Sequence, residues 1–253
     1  MNRANNTSTF YHSADGLQYN NTDNGTCTVI DFFAITVSFT TIYSVLMIAS
    51  LVGNSLLIFA SLKSKITMNV IIANIAASDL LFSIVHFPRE IVVYIKGSTV
   101  FLVHGWIGSL LCKICSFLTD TTIAVSTLSL VLITVDRLVA AVFPRMFVRI
   151  TVKKRRFFIL GTWILAMAIH SPYFYTFRLD VRNGETLCIS NWEPAFDHES
   201  THIRYYTALL VTVLIVPLVT VCILQNYNLG ETEKRQNGAF SFFRGPSTTK
   251  EKD

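Results

Sequence analysis

The chain has 253 residues, of which 51% are hydrophobic and 15% charged, with a formal net charge of +5. Soluble domains carry about 25% charged residues, so this composition excludes an ordinary water-soluble globule. Long apolar runs point instead to membrane spans, and the basic residues cluster between those runs rather than along one continuous nucleic-acid-binding stripe.

The chain begins with a polar, Asn- and Thr-rich segment, residues 1–36, that lacks the basic and apolar regions of a cleavable signal peptide. Four Asn-x-Ser/Thr sequons, at Asn5, Asn6, Asn20 and Asn24, mark it as a glycosylated, extracellular tail. Five spans follow, at about 37–62, 70–95, 108–140, 157–177 and 203–227. Each is long enough to cross about 30 Å of hydrocarbon as a helix. A polar tail, 228–253, has low hydrophobicity and mixed charge, and is expected to be cytoplasmic and disordered.

The loops alternate in charge. Lys63 and Lys65 follow the first span, Arg145, Arg149, Lys153, Lys154, Arg155 and Arg156 follow the third, and Lys234, Arg235, Arg244, Lys250 and Lys252 follow the fifth. The loops between carry far fewer cations. The positive-inside rule puts the basic side in the cytosol and the N-terminus outside, and the sequons agree.

Single residues in the spans carry the chemistry. Asp79 is a carboxylate within an apolar run, which requires an inward orientation and a partner. It reads either as a buried hydrogen-bond hub or as a cation ligand. Asp136 and Arg137 are adjacent at the inner end of the third span, where they can form a charge-assisted pair or a snorkelling Arg with its neighbour. Cys112 and Cys188 fall on the outer side, where disulfides persist. Cys115 and Cys222 read as small apolar fillers, and Cys27 has no assigned partner.

The ordered set Gly53-Asn54, Asn74-Ile75-Ala76-Ala77-Ser78-Asp79-Leu80, Trp106, Cys112, Asp136-Arg137-Leu138, Pro144, Trp163, Pro172, Cys188 and Pro217 resembles the rhodopsin-like G-protein-coupled receptors over roughly residues 37–224. The resemblance implies an all-α transmembrane bundle, five spans of a seven-helix fold. It implies a disulfide from Cys112 to Cys188, and a sodium and polar core around Asn54, Asp79 and Ser126, with sodium as the only cofactor in view. It also implies a G-protein contact at Asp136, Arg137, Phe143 and Pro144, where Leu138 replaces the usual Tyr. Thr119, Asp120 and Ile123 become the ligand-pocket candidates on the third span.

Thr119 stands where amine receptors carry an Asp counter-ion, and Asp120 is its neighbour, which argues against an amine ligand. The loop with Asn191-Trp192-Glu193, Asp197 and Glu199 suits a peptide with basic groups, and equally a solvated hairpin. A peptide is the expected ligand and a heterotrimeric G protein the expected partner, at the plasma membrane. After Leu224 the resemblance ends. Gln225 replaces a usual Tyr, and neither a sixth span with its Cys-Trp-x-Pro mark nor a seventh with Asn-Pro-x-x-Tyr is found. A chain of five spans would not signal alone; the alternative role is an interaction protein that associates with full-length receptors and is retained in the endoplasmic reticulum. Nothing reads as an enzyme. His86, His104, His170, His198 and His202 lack metal-ligand spacing, and no nucleophile–base pair or phosphate loop is present.

Overall fold

A computed structural model describes residues 27–63, 69–96, 100–143, 151–182 and 184–243, without the side chains of 27–32, 231 and 234–243. The sequons and Pro144 lie outside the described residues. Among the described residues, five helical spans are long and apolar enough to cross a membrane.

The first, α1 (Cys27–Lys63), packs on α2 (Asn69–Lys96). Rings from both helices fill that seam: Phe39 stacks on Tyr94 at 4.7 Å, and Tyr43 lies 6.1 Å from Phe87. The other faces of α1 present Ile42, Val45, Leu56 and Phe59 outward. Hydrophobic side chains all round a helix suit a lipid environment. Pro88 sits within α2. It removes one backbone donor, a defect that membrane helices tolerate when neighbours satisfy the freed carbonyl.

The central helix is α3 (Gly105–Val142), which packs on α2, on the helix Val152–His170, on the strand Phe177–Arg182 and on the helix Val216–Phe243. Its buried face is small and polar: Ser116, Thr119, Thr122, Ser129 and Thr134. Small residues let helices approach closely in lipid. Most of their hydroxyls are satisfied within the helix, although the buried Thr121 Oγ1 has no partner among the described residues. Thr119, Thr122, Thr127 and Thr134 each donate to the carbonyl four residues back, at 2.8 Å.

The helix α4 (Val152–His170) begins five residues before the expected start of the fourth span. The Lys153–Arg156 run is therefore helical rather than loop; Lys and Arg are good helix formers, and Arg155 is anchored to α3. Pro172 ends α4, because it cannot donate to the next turn, and a short helix α5 (Tyr173–Thr176) follows. Two antiparallel strands, β1 (Phe177–Arg182) and β2 (Glu185–Ser190), form a hairpin in register Leu179↔Cys188 and Arg182↔Glu185. Gly184 closes it at φ +82, a conformation that favours glycine. Val100 bridges Leu187, and the Phe101 N–H donates to the Thr186 carbonyl at 2.7 Å, so the segment before α3 edges the hairpin.

The last rod comprises α6 (His198–Leu209), a π-helical stretch Leu210–Ile215, and α7 (Val216–Phe243). Asp197 caps it, accepting from the Ser200 N–H at 3.0 Å. The π stretch ends two residues before Pro217, and wider turns of this kind re-pair the backbone around a proline. The helix passes Tyr227, the expected end of the span, and continues to Phe243, so the backbone of 228–243 is helical instead of irregular. The Glu, Lys, Arg and Gln between Glu231 and Gln236 favour helix despite their low hydrophobicity. Residues 244–253 lie outside the described residues.

Candidate functional site: three polar layers along the third helix

The outer layer is organised by the disulfide between Cys112 on α3 and Cys188 on β2, with Cα atoms 5.7 Å apart. It holds the hairpin across the bundle mouth. Below it, Asp120 on α3 accepts a 2.5 Å hydrogen bond from the Tyr173 hydroxyl. Tyr173 is buried and packs on Phe177 at 4.9 Å, with Tyr205 and Tyr206 within 6.3 Å. Tyr205 donates to the Ile169 carbonyl at 2.9 Å and meets the buried Trp192 edge-on at 5.0 Å. His202 lies tilted against Tyr206 at 4.4 Å and is 5.3 Å from His198. The result is a connected set of rings from α5, the segment after β2 and α6, which meets the Asp120 carboxylate on α3 through Tyr173.

The α2 side of this layer is ionic. Arg89 donates to Ser116 Oγ at 3.3 Å, and His86 Nδ1 lies 4.0 Å from Glu90. Sequence reasoning did not single out Arg89 or Glu90. The available signal was two adjacent charges in the outer third of an apolar span, a pattern that marks function by default.

The three pocket candidates on α3 do not converge. Thr119 is buried and donates to the Cys115 carbonyl, Asp120 meets Tyr173, and Ile123 is exposed. A helix turns by about 100° per residue, which separates neighbours in this way.

The middle layer is a hydroxyl relay. Ser126 donates to Asp79 Oδ1 at 2.7 Å, and Ser78 and Ser126 lie 2.7 Å apart. Ser83 donates to the Asp79 carbonyl at 2.7 Å and is 2.5 Å from Ser50 Oγ, to which Asn54 Nδ2 donates at 3.0 Å. Asn54 therefore reaches only the main-chain carbonyl of Asp79, through two serines, and does not touch its carboxylate. A second relay links Trp163 Nε1 to Asn74 Oδ1 at 2.9 Å and Asn74 Nδ2 to Ser129 Oγ at 3.0 Å. Ser50 and Ser83 carry no mark in the sequence, and Ser78 stands there only as part of the Asn74–Leu80 motif, because a serine in an apolar run reads as a packing residue. The donor set around Asp79 is all hard oxygen, and among the described residues its Oδ2 takes no hydrogen bond. Such a set fits a small hard cation.

The inner layer overturns one expectation. Asp136 does not pair with Arg137; it pairs with Arg155 on α4, whose Nη2 lies 2.9 Å from Oδ1 and 3.2 Å from Oδ2, and whose Nε lies 3.2 Å from Oδ1. Both side chains are buried, at 7% and 2% exposure. Consecutive helical residues do not face each other. Asp136 continues the buried face of Val125 and Ser129 toward α4, while Arg137 points outward. Phe143, at the end of α3, is 56% exposed.

The chain matches the family described as 7 transmembrane receptor (rhodopsin family) over residues 53–241. It is 27% identical to a QRFP-like peptide receptor of Branchiostoma floridae, covering 71% of this chain and 47% of that one. It is 30% identical to neuropeptide FF receptor 2 of Mus musculus, over 72% and 45% of the two chains. It is also 28% identical to cysteinyl leukotriene receptor 1 of Mus musculus, over 85% and 61%. The chain spans about half the length of the curated relatives it matches.

Proposed function

The chain belongs to the rhodopsin family of seven-transmembrane receptors, and from that premise we propose that it supplies the ligand-facing and inner faces of a receptor for an extracellular peptide with a cationic group. The family is one of receptors rather than enzymes, and the chain is a membrane protein. The observation that carries the ligand reading is Asp120: a carboxylate in the outer half of α3, bonded to Tyr173, whose ring continues into the aromatic set of Tyr205, Tyr206, His202 and Trp192. A guanidinium or ammonium group docks on such a site through charge-assisted bonds and cation–π contact. Relatives named for neuropeptides support a peptide; the relative named for a leukotriene is the competing ligand class.

At the inner end, Arg137 and Phe143 are exposed and form the G-protein contact, with Asp136 held away by Arg155. In the middle layer, Asp79 and Ser126 hold a sodium ion that contributes charge neutralisation there. The receptor works at the plasma membrane. A second reading, association with full-length receptors and retention in the endoplasmic reticulum, draws on the half-buried Asp79 and Asn54, polar groups that a further helix would cover.

The test is binding of labelled basic, amidated peptides to cells expressing the chain. Substitution D120N should weaken binding at least tenfold, an order expected for a charged partner in a partly desolvated site, and D120E should restore part of it. Unchanged affinity in D120N, or displacement by a leukotriene and by no peptide, would overturn the ligand reading.

A further inference from the structure

The outer layer holds two opposite charges that do not neutralise each other. Arg89 on α2 is half-buried and donates to the Oγ of the buried Ser116 at 3.3 Å. Asp120 on α3 is half-buried and accepts from the hydroxyl of the buried Tyr173. Among the described residues, neither forms an ion pair. Glu90, the carboxylate next to Arg89 in sequence, turns to His86 instead, because consecutive helical residues point in different directions. Yet the two charges share one space. Ser116 and Asp120 stand four residues apart on one face of α3, about 6 Å along its axis. The charges of Arg89 and Asp120 both act on His86 and on Tyr206. A charge within an apolar span calls for a partner of opposite sign, and each of these two meets a neutral hydroxyl.

We infer that Arg89 and Asp120 are the two poles of one binding site, which takes a peptide ending in a basic residue with a free carboxyl group. The terminal carboxylate docks on Arg89 and the side-chain cation on Asp120. A guanidinium presents a planar fork of N–H donors that a carboxylate matches with two parallel bonds. Among the described residues Ser116 engages only Nη1 of that fork. A C-terminal arginine or lysine carries both charges on a single residue, joined by an alkyl stem long enough to span about one helical turn. A C-terminal amide is neutral and leaves the Arg89 charge unmet, so the site discriminates between the acid and the amide of one peptide. The cation end rests on the role proposed above for Asp120; the carboxylate end rests on Arg89 alone.

The full chain is reconstituted in nanodiscs, and fluorescence anisotropy measures its affinity for a Phe-Arg dipeptide with a dye on its N-terminus, prepared as the free acid and as the amide. The dye removes the terminal amine, so the arginine side chain is the one cation in both probes. The wild-type chain should bind the acid about tenfold or more tightly than the amide, the order expected for a charged partner in a partly desolvated site. R89Q should weaken the acid to the level of the amide and leave the amide unchanged, so amide binding reports that the variant is folded. R89K should keep part of the preference, since it retains the charge without the fork. D120N should weaken both probes equally and keep their ratio. Equal affinities for acid and amide in the wild type overturn the inference, and that comparison needs no variant to fold. A preference that survives in R89Q overturns it too, by placing the carboxylate elsewhere. Unchanged affinities in D120N mark the failure of the Asp120 reading, and the two-pole site falls with it even where R89Q abolishes the preference. Binding of neither probe overturns both.

Discussion

Arg155 on α4 grips Asp136 on α3 with two nitrogens on one carboxylate, the shortest contact being 2.9 Å, and both side chains are buried. The pair fixes the start of α4 against the inner end of α3 and leaves the neighbouring Arg137 outward. Removing one partner leaves an uncompensated buried charge. We expect R155A to lower stability by about 3 kcal/mol or more, read as thermal unfolding in detergent. The double variant D136N/R155Q should be less impaired than the sum of its single changes, because neither charge is stranded. Additive losses would show that the contact contributes little.

Gly108 sits where the segment before α3 folds back over the first turn of the helix. A Cβ there would overlap the Val103 carbonyl oxygen, a backbone atom with no rotamer to yield. We expect G108A to cost about 1–3 kcal/mol, or to block folding. Gly161 on α4 offers a matched control, since a Cβ at that position meets nothing within 4 Å; G161A should be neutral or slightly stabilising by helix propensity. Equal behaviour of the two variants would mean that the turn before α3 moves freely.

The spans and their order were legible in the sequence because lipid enforces one simple rule, a long apolar run for each crossing. The Cys112–Cys188 bridge was legible only through family resemblance, since five cysteines permit many pairings. Other features depend on three-dimensional facts that spacing does not carry. Asp136 looked toward Arg137 because adjacency in sequence suggests contact, whereas a helix sends neighbours to different faces. The serine relay from Asn54 to the Asp79 main-chain carbonyl could not be read because each hydroxyl's partner lies on another helix or another turn. The hairpin had a readable mark in Asn183-Gly184, a strong turn dipeptide, overshadowed by the aromatic and acidic residues after it. The extension of α7 to Phe243 was missed because hydrophobicity was given more weight than helix propensity.

The Asp79 carboxylate accepts from Ser126 through one oxygen, and among the described residues the other takes no hydrogen bond. If that oxygen meets sodium, the ion stabilises the folded chain by mass action, about 1.4 kcal/mol at ten times the dissociation constant. At fixed ionic strength, replacing choline chloride with sodium chloride should raise the melting temperature of the wild-type chain. D79N should abolish the difference, and S126A should reduce it. The same sodium dependence in D79N would place the ion elsewhere.

Asp197 caps α6 by accepting the Ser200 N–H at 3.0 Å, and the bonds from Ser200, backbone first and side chain second, hold its carboxyl below the ordinary carboxylate range. A depressed folded pKa means that the unfolded chain binds the proton more readily, so acid favours unfolding of this cap. The contribution is fully present above the unfolded pKa of about 3.9 and is lost as pH falls through the lower, folded value. We expect the Asp197 side-chain carbon resonance to titrate below that of a free aspartate, and the Ser200 amide to lose exchange protection over the same acidic interval. D197N should keep the cap, because Asn accepts nearly as well, yet remove the pH dependence. D197A should expose the Ser200 amide at every pH. An Asp197 resonance that titrates at the ordinary value would mean that the cap does not hold the carboxylate in solution.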